Sequence, residues 1–272
     1  MKGKSKTEKL FEAYLAQRSI SFEYEPFGPE EKNPDYRFHR NDATVLAEIK
    51  EIEETPFQRE VNARLAVSSA ASFSFDPKEL FDLLRRRIDA ACKQLKPHQK
   101  EADCCVVILG QRDTGLNDIV PDSIFYAMYG DLYLSIPIDP IRGGAVGEAT
   151  SELKVNGALR KNRPVIRDMY SPHSYLSGVG VVEEFNGQSY YERRFYDKLL
   201  KQYNPPTAEE MLVYLESEWK KHQKKIPAIY CDKDKMFYRV RMIANPLSNK
   251  PLPRDLFNGQ WDYVRYPKVI QQ

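Results

Sequence analysis

The amino-acid sequence predicts an α/β protein in which a central mixed β-sheet is flanked by helices, with further strands and helices added towards the C-terminus. Three observations lead there. Amphipathic helical stripes alternate with short strand-like segments, one of those segments (CCVVIL) has no polar face, and two segments upstream of it are joined by a short polar turn. A continuous apolar run marks a strand covered on both faces, as in a sheet sandwiched between helices. Two strands with a short turn between them pair antiparallel, so the sheet is expected to be mixed.

The elements follow in order. Residues 5–18 read as a helix: Ser5 and Glu8 have the spacing of a capping box, and Leu10, Phe11, Tyr14 and Leu15 form one apolar stripe. Residues 20–24 alternate as a short strand, and the PFGPEEKNP that follows is a turn-rich loop. Residues 36–39 and 44–52 read as two strands joined through Arg40, Asn41 and Asp42. From 58 to 75 the sequence suits neither a clean helix nor a clean strand. A helix is predicted over 77–95, with Asp76 as N-cap, Pro77 at its first position, and Leu80, Leu84, Ile88, Ala91 and Leu95 on one face. Residues 104–109 are the buried strand. Beyond it the pattern predicts a short helix at 121–129, a strand at 132–138, a loop or insertion rich in Gly, Pro and charge at 141–174, and a strand at 176–184. A helix at 207–222 opens with a second capping box, Thr207 and Glu210, and a strand at 237–244 ends at Asn245-Pro246. No repeat or linker divides the chain. Residues 1–272 are therefore expected to form a single elaborated domain, with 175–272 adding to its sheet and helices.

Composition bounds the function classes. With 272 residues, 42% hydrophobic and 29% charged, the chain can bury a sizeable core. No apolar run approaches the roughly 20 residues that span a bilayer, so no membrane partner is expected. The start, MKGKSKTEK, is charged but leads into no apolar stretch, unlike a signal peptide, and a cytoplasmic location is expected. Cys92, Cys104, Cys105 and Cys231 form no C-x-x-C pair, and adjacent strand residues point to opposite faces, so the cysteines read as buried thiols rather than zinc ligands. The net charge of +2 announces no nucleic-acid binder. The basic clusters at 2–9, 85–96 and 220–225 read as solvated helix faces.

The chemistry concentrates in three residues. Glu48 and Lys50 are two apart on a strand and share one face, with Ile49 turned the other way. Asp35 opens the preceding strand after Pro34, and an antiparallel pairing brings it alongside. Two converging carboxylates make a hard-oxygen site suited to Mg²⁺, with Mn²⁺ as a substitute. A divalent ion there would polarise a phosphoryl oxygen, and Lys50 would stabilise the charge that develops. An isolated E-x-K is otherwise an ordinary salt bridge. The strand around it and the nearby Pro-Asp are what single it out.

These elements resemble the PD-(D/E)xK, or restriction-endonuclease-like, nuclease superfamily. The matching features are Pro34-Asp35, Glu48-Ile49-Lys50 and a preceding helix of the form Glu8-x-x-Phe11-x-x-x-Leu15, spanning about residues 5–110. The resemblance implies a restriction-endonuclease-like core and Mg²⁺-dependent endonuclease activity on DNA, in a restriction, repair, mobile-element or defence setting. It implies that Asp35, Glu48 and the carbonyl of Ile49 bind the metal and that Lys50 assists the water and the transition state. A carboxylate of the first helix often joins such sites. Glu8 is the expected one, because Glu12 lies further towards solvent on the helical wheel, although Glu8 is also the capping residue. Arg87, Lys93 and Gln94 are the corresponding phosphate contacts on the later helix. A homodimer is how many relatives reach both strands.

Two alternatives belong to other classes. One is a nuclease-like fold without catalysis that binds nucleic acid or protein. The other is an unrelated α/β enzyme, for which the glycine-rich stretch at 143–147 is the nearest phosphate loop, lacking the Lys-Ser/Thr ending. Arg193, Arg194 and Arg241 lie among aromatics, a composition that serves base stacking or sheet packing.

Overall fold

Strand alternation and turn chemistry set the first half of the sheet. The computed structural model describes residues 3–28, 33–54, 56–67, 77–111, 121–129, 132–135, 150–153, 173–188, 190–191, 195, 208–223 and 235–267. Strands β1 (Phe22–Tyr24), β2 (Tyr36–Arg40) and β3 (Ala43–Ile52) form an antiparallel meander. The turn between β2 and β3 is tighter than the sequence suggests. Only Asn41 (φ 48°) and Asp42 (φ 62°) lie between paired residues, both in the left-handed region that two-residue hairpins require and that Asn and Asp tolerate. Strand β4 (Cys104–Gln111) then pairs parallel with β3, after a crossover through helices α2 (Pro56–Val67) and α3 (Pro77–Leu95) and a 3₁₀ segment (Lys96–Glu101).

Helix α1 (Lys6–Gln17) and helix α3 cover opposite faces of β3. Phe11 meets Tyr36 and Phe38 edge-on, at 5.5 and 6.1 Å between ring centroids. On the other face, Leu84, Ile88, Ala91 and Leu95 of α3 pack with Leu46, Ile52, Cys105, Val107 and Leu109. Both faces of β4 are covered, and Cys104 to Leu109 are buried, as a run without a polar face requires. Burial pushes the thiols up, Cys105 to about 11 and Cys104 to about 12. Cys231 lies outside the described residues.

The sheet continues with β7 (Leu176–Asn186), parallel to β4, then β8 (Met236–Ala244) and β9 (Tyr263–Arg265), in the order β1-β2-β3-β4-β7-β8-β9. Helix α4 (Pro121–Tyr129) follows β4. Strands β5 (Leu132–Ser135) and β6 (Thr150–Leu153) make a separate antiparallel pair. Thr150–Leu153 falls inside the stretch expected to be loop, so that expectation is corrected there. The stretch expected to be ambiguous opens with α2, and β9 has no counterpart in the sequence expectations. Helix α5 (Ala208–Gln223) starts where predicted, while Thr207, Asp76 and the 143–147 stretch lie outside the described residues.

The chain divides into two compact units, Met1–Val182 with Val240–Gln272, and Glu183–Arg239. The boundaries fall inside β7 and β8 rather than in a linker, so composition carries no sign of them. Within the second unit, Arg239 pairs with Glu183 at 2.8 Å and lies over the Phe185 and Tyr190 rings. Among the described residues, no helix is long and apolar enough to cross a membrane.

Candidate functional site

The last cross-strand pair between β2 and β3 is Tyr36 with Ala47, so β3 runs on past the start of β2. Asp35 stands at that step and occupies the place a strand residue would have taken. Its Oδ2 accepts the Ile49 N–H at 2.7 Å, and its own N–H donates to Glu48 Oε2 at 3.2 Å. The N–H and C=O of one strand residue point to the same edge. The Ile49 carbonyl is thus turned to the side on which Asp35 lies.

Glu48 and Lys50 share the face of β3 that α3 covers, as the alternation predicts. Lys50 Nζ donates to Glu48 Oε1 and to Gln94 Oε1, each at 2.5 Å. Glu48 has no exposed surface, while the Lys50 side chain is 19% exposed. Burial first, and then the neighbouring Asp35 carboxylate, push Glu48 from the ordinary carboxylate range up to about 8, against the opposing pull of Lys50. Asp35 is raised too, by burial first, with the Ile49 N–H and Lys50 lowering it and Glu8 raising it.

Glu8 has both of its carboxylate oxygens occupied. Oε2 accepts the Ser5 N–H at 2.7 Å in the capping box, and Oε1 accepts the Tyr24 hydroxyl at 3.1 Å. It still lies near enough to raise Asp35, so capping and the site draw on one side chain. Glu12, expected to turn further to solvent than Glu8, is half-buried as Glu8 is. Its side chain accepts the Tyr36 hydroxyl at 2.9 Å and pairs with Lys4, because the Tyr36 ring that packs on α1 carries its hydroxyl up to it.

The α1 N-terminus docks on the opposite face from Lys50. Glu51 accepts from the Thr7 N–H and hydroxyl at 3.2 and 3.4 Å, a carboxylate at the positive end of the helix. Thr7 comes so near Gly110, the β4 partner of Glu51, that any Cβ there would lie 2.3 Å from the Thr7 methyl. Alternation thus sends Glu48 and Lys50 to the site and Glu51 to the helix.

Of the α3 residues, Gln94 reaches the site through Lys50. Arg87 lies seven positions earlier on the same stripe and is half-buried, whereas Lys93 is turned out to solvent. The sequence missed Asn33 and His98. They have no ligand spacing, yet His98 Nε2 meets Asn33 Oδ1 at 3.0 Å, two residues from Asp35. Among the described residues, no three His, Cys, Asp or Glu side chains form a group that could hold a metal ion. The donors at hand are two carboxylates and one carbonyl. Searches against family models, curated proteins and solved structures find no match to this chain.

Proposed function

We propose that this protein is a metal-dependent nuclease that hydrolyses phosphodiester bonds, with DNA as the expected substrate and a restriction-endonuclease-like core as its scaffold. One observation carries it: Asp35 is brought against the fully buried Glu48 and raises its hold on a proton or a cation, and Lys50 lies on the same face. A carboxylate set against a second one out of water is stabilised by a cation that both can hold.

The donor set fits Mg²⁺ or Mn²⁺. It is all oxygen, it has two carboxylates with the Ile49 carbonyl beside them, and Mg²⁺ commonly takes one or two carboxylates and keeps several waters. Asp35 and Glu48 would hold the ion, which when bound supplies Lewis acidity towards a phosphoryl oxygen and acidifies water. The protein's own groups do the remaining work. Glu48, raised to about 8, keeps a proton at neutral pH and releases it when the site is loaded. Lys50, fixed by Glu48 and Gln94, presents an ammonium to the charge that develops on the phosphate. Exposed Arg86, Lys93, Lys96 and Lys100, on α3 and the segment that follows it, offer cations to the flanking phosphates.

A divalent-ion titration with supercoiled, linear and single-stranded DNA tests the proposal. Cleavage that needs Mg²⁺ or Mn²⁺ and disappears in Asp35→Ala and Lys50→Ala is expected. Intact cleavage in Asp35→Ala removes the site. Binding of DNA without cleavage of any nucleic acid, at any metal concentration, favours a catalytically silent binding module.

A further inference from the structure

Asp35 leaves a loop that is tied down by two residues which the acidic pair does not account for. Asn33 donates its Nδ2 to the carbonyls of Phe27 and Gly28, at 3.0 and 2.9 Å. With both amide hydrogens taken, Oδ1 is the acceptor that faces His98, so His98 Nε2 is the donor in the 3.0 Å contact between them. The His98 ring stacks on Phe27, with 3.9 Å between centroids and 16° between planes, and Glu101 lies 3.1 Å from its Nδ1. His98 sits on the 3₁₀ segment that continues α3, four residues beyond Gln94. The loop bearing Asp35 and the partner of Lys50 are thus both referenced to the end of one helix.

The tie reaches Asp35 through a stiff connection. Only Pro34 lies between them; it is buried and its ring fixes φ, and a residue before proline is itself confined to extended backbone. On the other side of the loop, the Asp35 carbonyl accepts the Glu25 N–H at 2.8 Å. Glu25 holds φ 47°, a left-handed conformation uncommon outside glycine.

We propose that Asn33 and His98 are positioning residues for the candidate metal centre. They set where the Asp35 carboxylate meets Glu48 and Ile49, and touch neither ion nor substrate. Their geometry stands by itself, while their consequence for metal rests on the function proposed above.

The Ile49 amide, which donates to Asp35 Oδ2 at 2.7 Å, reports the position of Asp35 without metal. Hydrogen exchange at that amide is compared across three variants. His98→Phe keeps the stack and removes the donor. Asn33→Asp keeps the shape but sets an oxygen against two carbonyls, and it carries the test if His98→Phe proves unstable. His98→Gln restores a donor at similar reach. Ile49 is expected to lose protection in the first two variants and regain it in the third, while Val107 and Ile108 in β4 stay protected. Mn²⁺ affinity, read by electron paramagnetic resonance with the metal alone, is expected to fall about tenfold or more in the same two variants. An unchanged Ile49 amide in a protein that binds Mn²⁺ overturns the positioning alone. Wild-type protein that binds no Mn²⁺ overturns the metal-dependent function, and the metal-positioning role with it.

Discussion

Glu48 and Asp262 are both carboxylates with fully buried side chains, and the chain surrounds them in opposite ways. Asp262 is met by donors on every side. It accepts the Tyr14 hydroxyl at 2.8 Å, the Val240 N–H at 2.9 Å and the Gly259 N–H at 2.8 Å, and Arg18 lies 3.7 Å away. It joins the C-terminal segment to α1 and β8, with both of its oxygens accepting hydrogen bonds. Glu48 receives Lys50 and one backbone N–H, and is then set against a second carboxylate. Asp262 is satisfied by donors from the fold, whereas Glu48 shares its surroundings with a second carboxylate, the feature on which the proposed function rests.

That contrast breaks first at the level of stability. Asp262→Ala removes the acceptor for Tyr14, Val240 and Gly259 and the ion-pair partner of Arg18, and is expected to cost about 3–5 kcal/mol in urea unfolding, the scale of a broken buried pair. Glu48→Gln keeps the volume and relieves the repulsion from Asp35. It should leave the fold at least as stable at pH 8 while abolishing metal-dependent cleavage. Equal loss of stability in the two variants would erase the distinction.

Stability against pH sharpens it further. The unfolded chain releases the Glu48 proton in the ordinary carboxylate range, near 4.5, whereas the folded protein holds it up to about 8. Between those values the folded state binds more protons, so stability falls as pH rises through the window, by up to about 1.4 kcal/mol per pH unit for one proton. Asp35 is raised as well and acts in the same direction. Glu48→Gln should flatten the slope in metal-free buffer; melts across pH 4 to 9 read it.

Ligand linkage comes next. Mn²⁺ at a hundred times its dissociation constant should stabilise the wild type by about 2.7 kcal/mol, and neither Asp35→Ala nor Glu48→Gln should respond. The smallest effect belongs to Glu8. Glu8→Gln weakens the charge at the α1 N-terminus and should lower stability by about 0.3–1 kcal/mol, with less loss of cleavage than Asp35→Ala. A loss as deep as that of Asp35→Ala would move Glu8 from the capping box into the metal site.

Local signals made part of this legible in the sequence. Period-two alternation put Glu48 and Lys50 on one face, the capping box started α1, and the apolar run of β4 announced a covered strand. What stayed hidden depends on contacts with no period. Asp262 meets Tyr14 across 248 residues, and His98 meets Asn33 across 65. The Tyr36 hydroxyl that arrives from β2 to meet Glu12 has no sign on a helical wheel. Strand β9 is only three residues long, too short for alternation to show.

Binding of a divalent ion by the apposed carboxylates is the central claim to test. Calorimetry with Mn²⁺ at pH 7, in two buffers of different ionisation enthalpy, measures the binding and the protons released together. Saturable binding that releases close to one proton is expected, with loss of that binding in Asp35→Ala. Absence of binding at millimolar Mn²⁺, or binding that Asp35→Ala leaves intact, would contradict it.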